Sequence, residues 1–138
     1  MRVLLDTNVI LDALLRRPPW HVEASTVWEA TRQGRLACAA TVVSIADLFY
    51  IGRRIVGTPQ AIDDVRRCLA NLEILTVDRV ILEAAARMPG ADFEDNIQLA
   101  SAITAGVDAI VTRDAAGFAS SPIPVLTPQQ LLTRIAAG

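Results

Sequence analysis

An α/β sandwich around a mostly parallel sheet is the fold class this sequence predicts. Short apolar runs alternate along the chain with stretches of helical period. Short strands alternate with single helices or helix pairs, which is the pattern of helices layered on a parallel sheet. The 138 residues fit one domain, and no linker, repeat or low-complexity tract divides them. The expectation is a three-layer α/β/α sandwich over residues 1–138 with about five short strands.

The elements follow in order. Arg2–Leu5 is a short apolar strand that runs into Asp6-Thr7-Asn8 and then the apolar-periodic Val9–Leu15. Pro18-Pro19 breaks that helix. Trp20–Arg32 resumes a helical period, and Gly34 stands where a helix-ending glycine belongs. Leu36–Ala40 is the second strand. Ser44–Arg54 reads as a helix opened by Ser44 and ended by Gly57. Thr58-Pro59 suits the start of another, to about Asn71. Glu73–Val77 is the third strand, after which Asp78 caps a helix through Arg87. Asp92 opens a longer helix to Ala105, closed by Gly106. Asp108–Thr112 is the fourth strand and Pro122–Leu126 the last. Thr127-Pro128-Gln129-Gln130 caps the final helix.

Composition removes several function classes. With 52% hydrophobic residues the chain is not disordered. No apolar run approaches the roughly 18 residues of a membrane helix, and the N-terminus lacks a signal-peptide pattern, so a cytoplasmic location is expected. The 13 bases are all Arg, so the lysine of a phosphate-binding loop is missing. A single His, His21, excludes a Cys/His zinc site, and no Gly-x-Ser-x-Gly elbow accompanies it. Cys38 and Cys68 lack metal-ligand spacing and read as buried thiols. Fifteen acids against 13 bases give a net charge of −2, with no basic block to mark tight nucleic-acid binding by charge. Carboxylate chemistry remains.

Ligands of open parallel sheets bind beyond the carboxyl ends of the strands. Asp6 lies at that end of the first strand and Asp114 two residues past the fourth. Asp47 and Asp95 sit one turn inside helices that begin near the same edge. Clustered carboxylates repel one another, so convergence implies a cation or shared protons. An all-oxygen set suits Mg²⁺ or Mn²⁺, ions that cleave phosphodiesters by activating water and clamping phosphate oxygens. Each Asp also has a local explanation: Asp6 as a helix cap, Ser44-x-x-Asp47 and Asp92-x-x-Asp95 as capping boxes. Their joint placement is what points to chemistry.

Leu4-Leu5-Asp6-Thr7-Asn8-Val9, Ser44-x-x-Asp47, Asp95-Asn96-Ile97-Gln98-Leu99-Ala100-Ser101-Ala102 and Ala109-Ile110-Val111-Thr112-Arg113-Asp114, in that order, resemble the PIN domain family. Stand-alone domains of this length resemble VapC-like toxins. The resemblance implies a divalent-metal-dependent ribonuclease, a homodimer, and a cognate antitoxin protein as partner. It places Asp6, Asp95 and Asp114 at acidic metal-site positions, with Asn8, Ser44 and Thr112 in support. Position 47 departs from the pattern, which has Glu there; Asp47 is one methylene shorter, so either it reaches the metal through water or the metal sits differently, which bears on efficiency and metal preference. Asp92 either contributes to the metal site or only caps its helix.

Three functions follow, from different classes. The first is a Mg²⁺- or Mn²⁺-dependent endoribonuclease using Asp6, Asp47, Asp95 and Asp114. The second, motivated by Asp47, is a weak or inactive module that binds RNA or protein. The third is a phosphohydrolase with Asp6 as nucleophile, which the absence of Lys argues against. Arg113, beside Asp114, is the arginine expected to meet RNA. Trp20 and Trp28, eight apart on one helical face, are expected to serve core or dimer packing rather than base stacking, and His21 to lie on a helix surface.

Overall fold

The computed structural model describes residues 1–137. Five strands, β1 (Arg2–Leu5), β2 (Ala37–Thr41), β3 (Glu73–Leu75), β4 (Ala109–Val111) and β5 (Val125–Leu126), form one sheet in the order β3-β2-β1-β4-β5. Every neighbouring pair is parallel. The chain starts at the central strand, winds out to one edge through β3, then returns past β1 to build the other edge. The order therefore reverses between β1 and β4, the place where open α/β sheets form a ligand crevice.

Seven α-helices cover the sheet: α1 (Thr7–Leu14), α2 (His21–Arg32), α3 (Val42–Val56), α4 (Thr58–Asn71), α5 (Arg79–Ala86), α6 (Phe93–Ala105) and α7 (Pro128–Ala137). Side chains alternate across each strand, and the core divides accordingly. Val3, Leu5, Cys38, Ala40, Ala109 and Val111 face one layer, meeting Val9 and Ile10 of α1, Val27 and Trp28 of α2, Leu48 of α3 and Leu131 of α7. Leu4, Ala39 and Ile110 face the other, meeting Leu99 and Ala102 of α6. On its far side α6 packs Ile97 and Ala100 against Ile81 and Ala85 of α5. Trapped between the sheet and α5, α6 is buried at every position from Asn96 to Ala102, the polar Asn96, Gln98 and Ser101 included. The expected three-layer α/β/α sandwich of five strands is the observed one.

Local signals set most element ends. Asp78 and Asp92 cap α5 and α6, accepting from the amides of Ile81 and Asp95. Thr127 and Gln130 form a reciprocal capping box on α7. Gly106 ends α6 in the left-handed conformation (φ 67°). Two expected caps are different. Ser44 does not open α3; Thr41 does, three residues earlier, its hydroxyl accepting from the Ser44 amide. Thr58 lies inside α4, and Gly57 (φ 84°) occupies the cap position without a side-chain bond. In both cases the preceding strand or turn carries the chain into the helix earlier than hydroxyl preference suggested. Trp28 is buried, but Trp20 is 42% exposed, so the two tryptophans do not pack as one face. Cys38 and Cys68 are buried free thiols, and burial pushes the Cys38 thiol up to about 11.

Candidate active site

β1 delivers Asp6 to the carboxyl edge of the sheet at its centre, and α1 begins on the next residue. The side chain is 7% exposed and fully held. Oδ1 accepts from the Thr7 amide at 2.7 Å and from Gln98 Nε2 at 2.8 Å. Oδ2 accepts from Thr112 Oγ1 at 2.8 Å. Thr112 Oγ1 in turn accepts from the Asp114 amide at 3.0 Å. One hydroxyl at the end of β4 thus fixes both the first and the last acidic positions.

A second set of hydroxyls ties three helices together. Thr7 Oγ1 hydrogen-bonds Ser44 Oγ at 2.8 Å and Glu94 Oε1 at 3.1 Å. Ser44 is fully buried, and freed from capping it braces α3 against α1. One turn further along α3 stands Asp47, hydrogen-bonded to the Glu94 carboxyl. Burial, then the contact with Asp47, pushes the Glu94 carboxyl up to about 8. Glu94 therefore carries a proton at neutral pH. Burial also raises Asp95 to about 6, with repulsion from Asp92, Asp6 and Asp114 adding to it.

These residues line one cleft of about 340 Å³, walled by Asp6, Thr7, Asn8, Leu11, Arg17, Asp47, Ile51, Asp92, Glu94, Asp95 and Asp114. All five predicted Asp residues converge there. Asp92 is exposed at the rim, where its Oδ1 caps α6 while its charge acts on Asp95. Asp95 lies hard against the 3-10 turn Ala115–Phe118: a Cβ at Gly117 would collide with its carboxylate, so glycine is required for the approach. Arg113 is placed otherwise than expected. Its Nε donates to Asp12 Oδ2 at 2.8 Å, and its guanidinium lies 3.7 Å from the centre of the Trp20 ring. The salt bridge and the ring hold it outside the cleft walls.

Sequence reasoning missed four members: Thr7, Gln98, Glu94 and Arg17. Gln98 had a readable signal, since it follows Glu94 by four residues and Asp95 by three and so shares their helix face. Glu94 stood in view between Asp92 and Asp95. Nothing local marked Arg17.

Two observations test whether a divalent ion fits. The donors are hard oxygens, and their mutual repulsion is what a cation relieves. Asn8 Oδ1, in the cleft, is buried without a hydrogen-bond partner, a polar atom that an ion or its water would satisfy. Among the described residues no three carboxylates are close enough to hold one ion as they stand. The cluster fits the ion in the chemistry of its donors.

A sequence profile of the PIN domain matches residues 2–116. The chain belongs to the PIN domain family. No curated protein matches it. Among solved structures, this PIN domain is similar in fold to VapC20 of Mycobacterium tuberculosis, described as a sarcin–ricin loop cleaving toxin (TM-score 0.71, 14% identity, 86% of this chain and 94% of that one). It is also similar to FitAcB of Neisseria gonorrhoeae (0.70, 18%, 92% and 98%). A third is a toxin–antitoxin complex of Klebsiella pneumoniae (0.66, 21%, 91% and 97%). At these identities the PIN domain shares their fold.

Proposed function

We propose that this PIN domain is a divalent-metal-dependent endoribonuclease, the toxin of a toxin–antitoxin module. The observation that carries the reading is six carboxylates around one cleft at the sheet's switch point, with the buried Asn8 Oδ1 unpartnered beside them. Asp6, Asp95 and Asp114 would hold Mg²⁺ or Mn²⁺, with Asp47 acting directly or through water. When bound, the ion lowers the pKa of a water for attack on phosphorus and neutralises charge on the phosphate and leaving oxygens.

The chain's own residues do the rest. Thr7, Gln98 and Thr112 orient both oxygens of Asp6, so the central ligand is positioned before anything binds. Thr112 ties the amide of Asp114 to the same frame. The Asp47–Glu94 pair holds a proton at the cleft wall. Glu94 also bears on the alternative reading, an inactive RNA- or protein-binding module motivated by the short Asp47. It brings the longer carboxylate to the side of Asp47 from α6, which supports an active site. The neighbour described as a toxin–antitoxin complex supports an antitoxin protein as partner; RNA as substrate belongs to the nuclease reading. A homodimer and a cytoplasmic setting belong to it as well.

The test is cleavage of cellular RNA by purified wild type and Asp6→Asn in Mg²⁺, with calorimetric titration of the ion into both. Cleavage and binding by wild type, both lost in Asp6→Asn, are expected. Equal cleavage by the two proteins would sink the mechanism, and tight ion binding without cleavage of any RNA would favour the inactive module.

A further inference from the structure

The cleft repels the polyanion it is proposed to cut, and one cation stands in its wall. Arg17 lines the cleft with the six acids, yet it forms no salt bridge to any of them among the described residues; its one ionic partner is Asp12. α1 turns Asp12 inward, its side chain 2% exposed, and both oxygens are taken: Oδ1 by Arg17 Nε at 2.9 Å, Oδ2 by Arg113 Nε at 2.8 Å. Two guanidinium groups on one carboxylate leave a charge of +1 on the trio. Arg113 is further occupied by Trp20. Arg17 uses only Nε in a hydrogen bond, so its two terminal amino groups have no protein partner among the described residues.

We propose that Arg17, anchored by Asp12, is a phosphate-binding residue for the RNA backbone at the rim of the carboxylate cleft. The inference rests on the nuclease reading. An untethered arginine beside six carboxylates would fold onto them, competing with the metal and losing its own charge to ion pairs. The bond from Nε to a buried, oriented carboxylate prevents that collapse. It leaves the Nη edge, whose planar donors match two phosphate oxygens, unoccupied on a residue that lines the cleft. Because the side chain is already ordered, little rotamer freedom is lost on binding. Arg113 shares the same anchor without lining the cleft, so it is the internal control.

The experiment measures binding of a single-stranded RNA oligonucleotide, with Ca²⁺ in place of Mg²⁺ so that the acids are neutralised without turnover, to the wild-type protein and to Arg17→Ala, Arg17→Lys and Arg113→Ala as a function of salt. Arg17→Ala is expected to weaken binding roughly tenfold and to reduce the slope of log K against log salt by about 0.7, the value of one single-strand phosphate contact. Arg17→Lys should restore the slope and part of the affinity. Arg113→Ala should keep the slope, although it disturbs the same buried Asp12; a merely structural role for Arg17 would make the two alanine variants alike. In the otherwise wild-type enzyme, Arg17→Ala should raise KM with kcat largely kept. An unchanged slope in a folded Arg17→Ala protein, or a loss matched by Arg113→Ala, overturns the proposal. If wild type neither cleaves RNA in Mg²⁺ nor binds it in Ca²⁺, the nuclease reading falls and Arg17 falls with it; cleavage by wild type with an unchanged Arg17→Ala slope overturns only Arg17.

Discussion

The two ends of the sheet treat acidic residues in opposite ways. At the amino end, β1 opens on Arg2, whose guanidinium holds Glu73 of β3 at 2.9 and 2.6 Å and whose amide donates to Asp108 at 2.8 Å. The hydrogen bond from Arg2 lowers the Glu73 carboxyl below its usual range. At the carboxyl end, six acids surround a cleft whose one arginine is turned to Asp12 instead, and the Glu94 carboxyl is pushed up to about 8. Paired acids at one end are structural. Acids gathered without cations at the other cost stability, and such a cost persists where function requires it.

Four measurements sharpen or break this contrast. The largest effect is expected on turnover: Asp95→Asn should lower Mg²⁺-dependent RNA cleavage by about 10²-fold or more, whereas Asp108→Asn, at the amino end, should leave it unchanged. Equal losses would remove the functional distinction between the ends. Next, Mg²⁺ should raise the melting temperature of wild type, by about 2.7 kcal/mol of stability when the ion is at 100 times its Kd. Asp6→Asn should respond far less, and the same thermal shift in both would place the ion elsewhere.

The third concerns pH. The folded Glu94 carboxyl lies near 8 against an ordinary 4.5, so the folded state binds this proton more tightly than the unfolded one. Without metal, its contribution to stability is most favourable below about pH 4.5 and falls as pH rises toward 8. Asp95, raised from 3.8 to about 6, adds a fall of the same sign at lower pH. Thermal melts in chelator should therefore decline between pH 5 and 8, and Glu94→Gln should flatten the decline. A wild-type curve that rises over that interval would contradict the uncompensated cluster. The smallest effect belongs to Glu73→Gln: its pair with Arg2 is solvent-exposed, so the melting temperature should scarcely move, and less still at high salt. A large loss would mean the amino end is not the simple surface pair it resembles.

Much of this was legible in the sequence. The alternation of short apolar runs with helical periods led to the right layers because the central strands β1 and β4 are buried on both faces from Val3 to Leu5 and Ala109 to Val111, which calls for apolar residues at successive positions. Asp6, Asp92, Asp95 and Asp114 were legible because they sit at or just inside element boundaries, which carry local signals; Asp47, the sixth residue of α3, was legible only through Ser44-x-x-Asp47. Ser44 shows the limit of such signals. Its hydroxyl suits a cap, but whether it caps depends on where β2 releases the chain, and Thr41 reached that place first. Arg113 shows the same limit at longer range. Neighbouring Asp114 in sequence suggested the cleft, yet its nearest anion in space is Asp12, 101 residues away.

Sequence alone thus determined the fold class, the strand ends that carry acids, and the absence of the lysine, zinc and triad chemistries. Tertiary structure decided which polar groups meet. It set Glu94 beside Asp47, gave Asp6 three donors from three separate segments, and turned Arg17 rather than Arg113 toward the acids. The physical reason is range. Periodicity and capping are interactions within a few residues and leave their mark on composition. Hydrogen bonds between side chains far apart in the chain depend on how layers pack, and no local pattern records that.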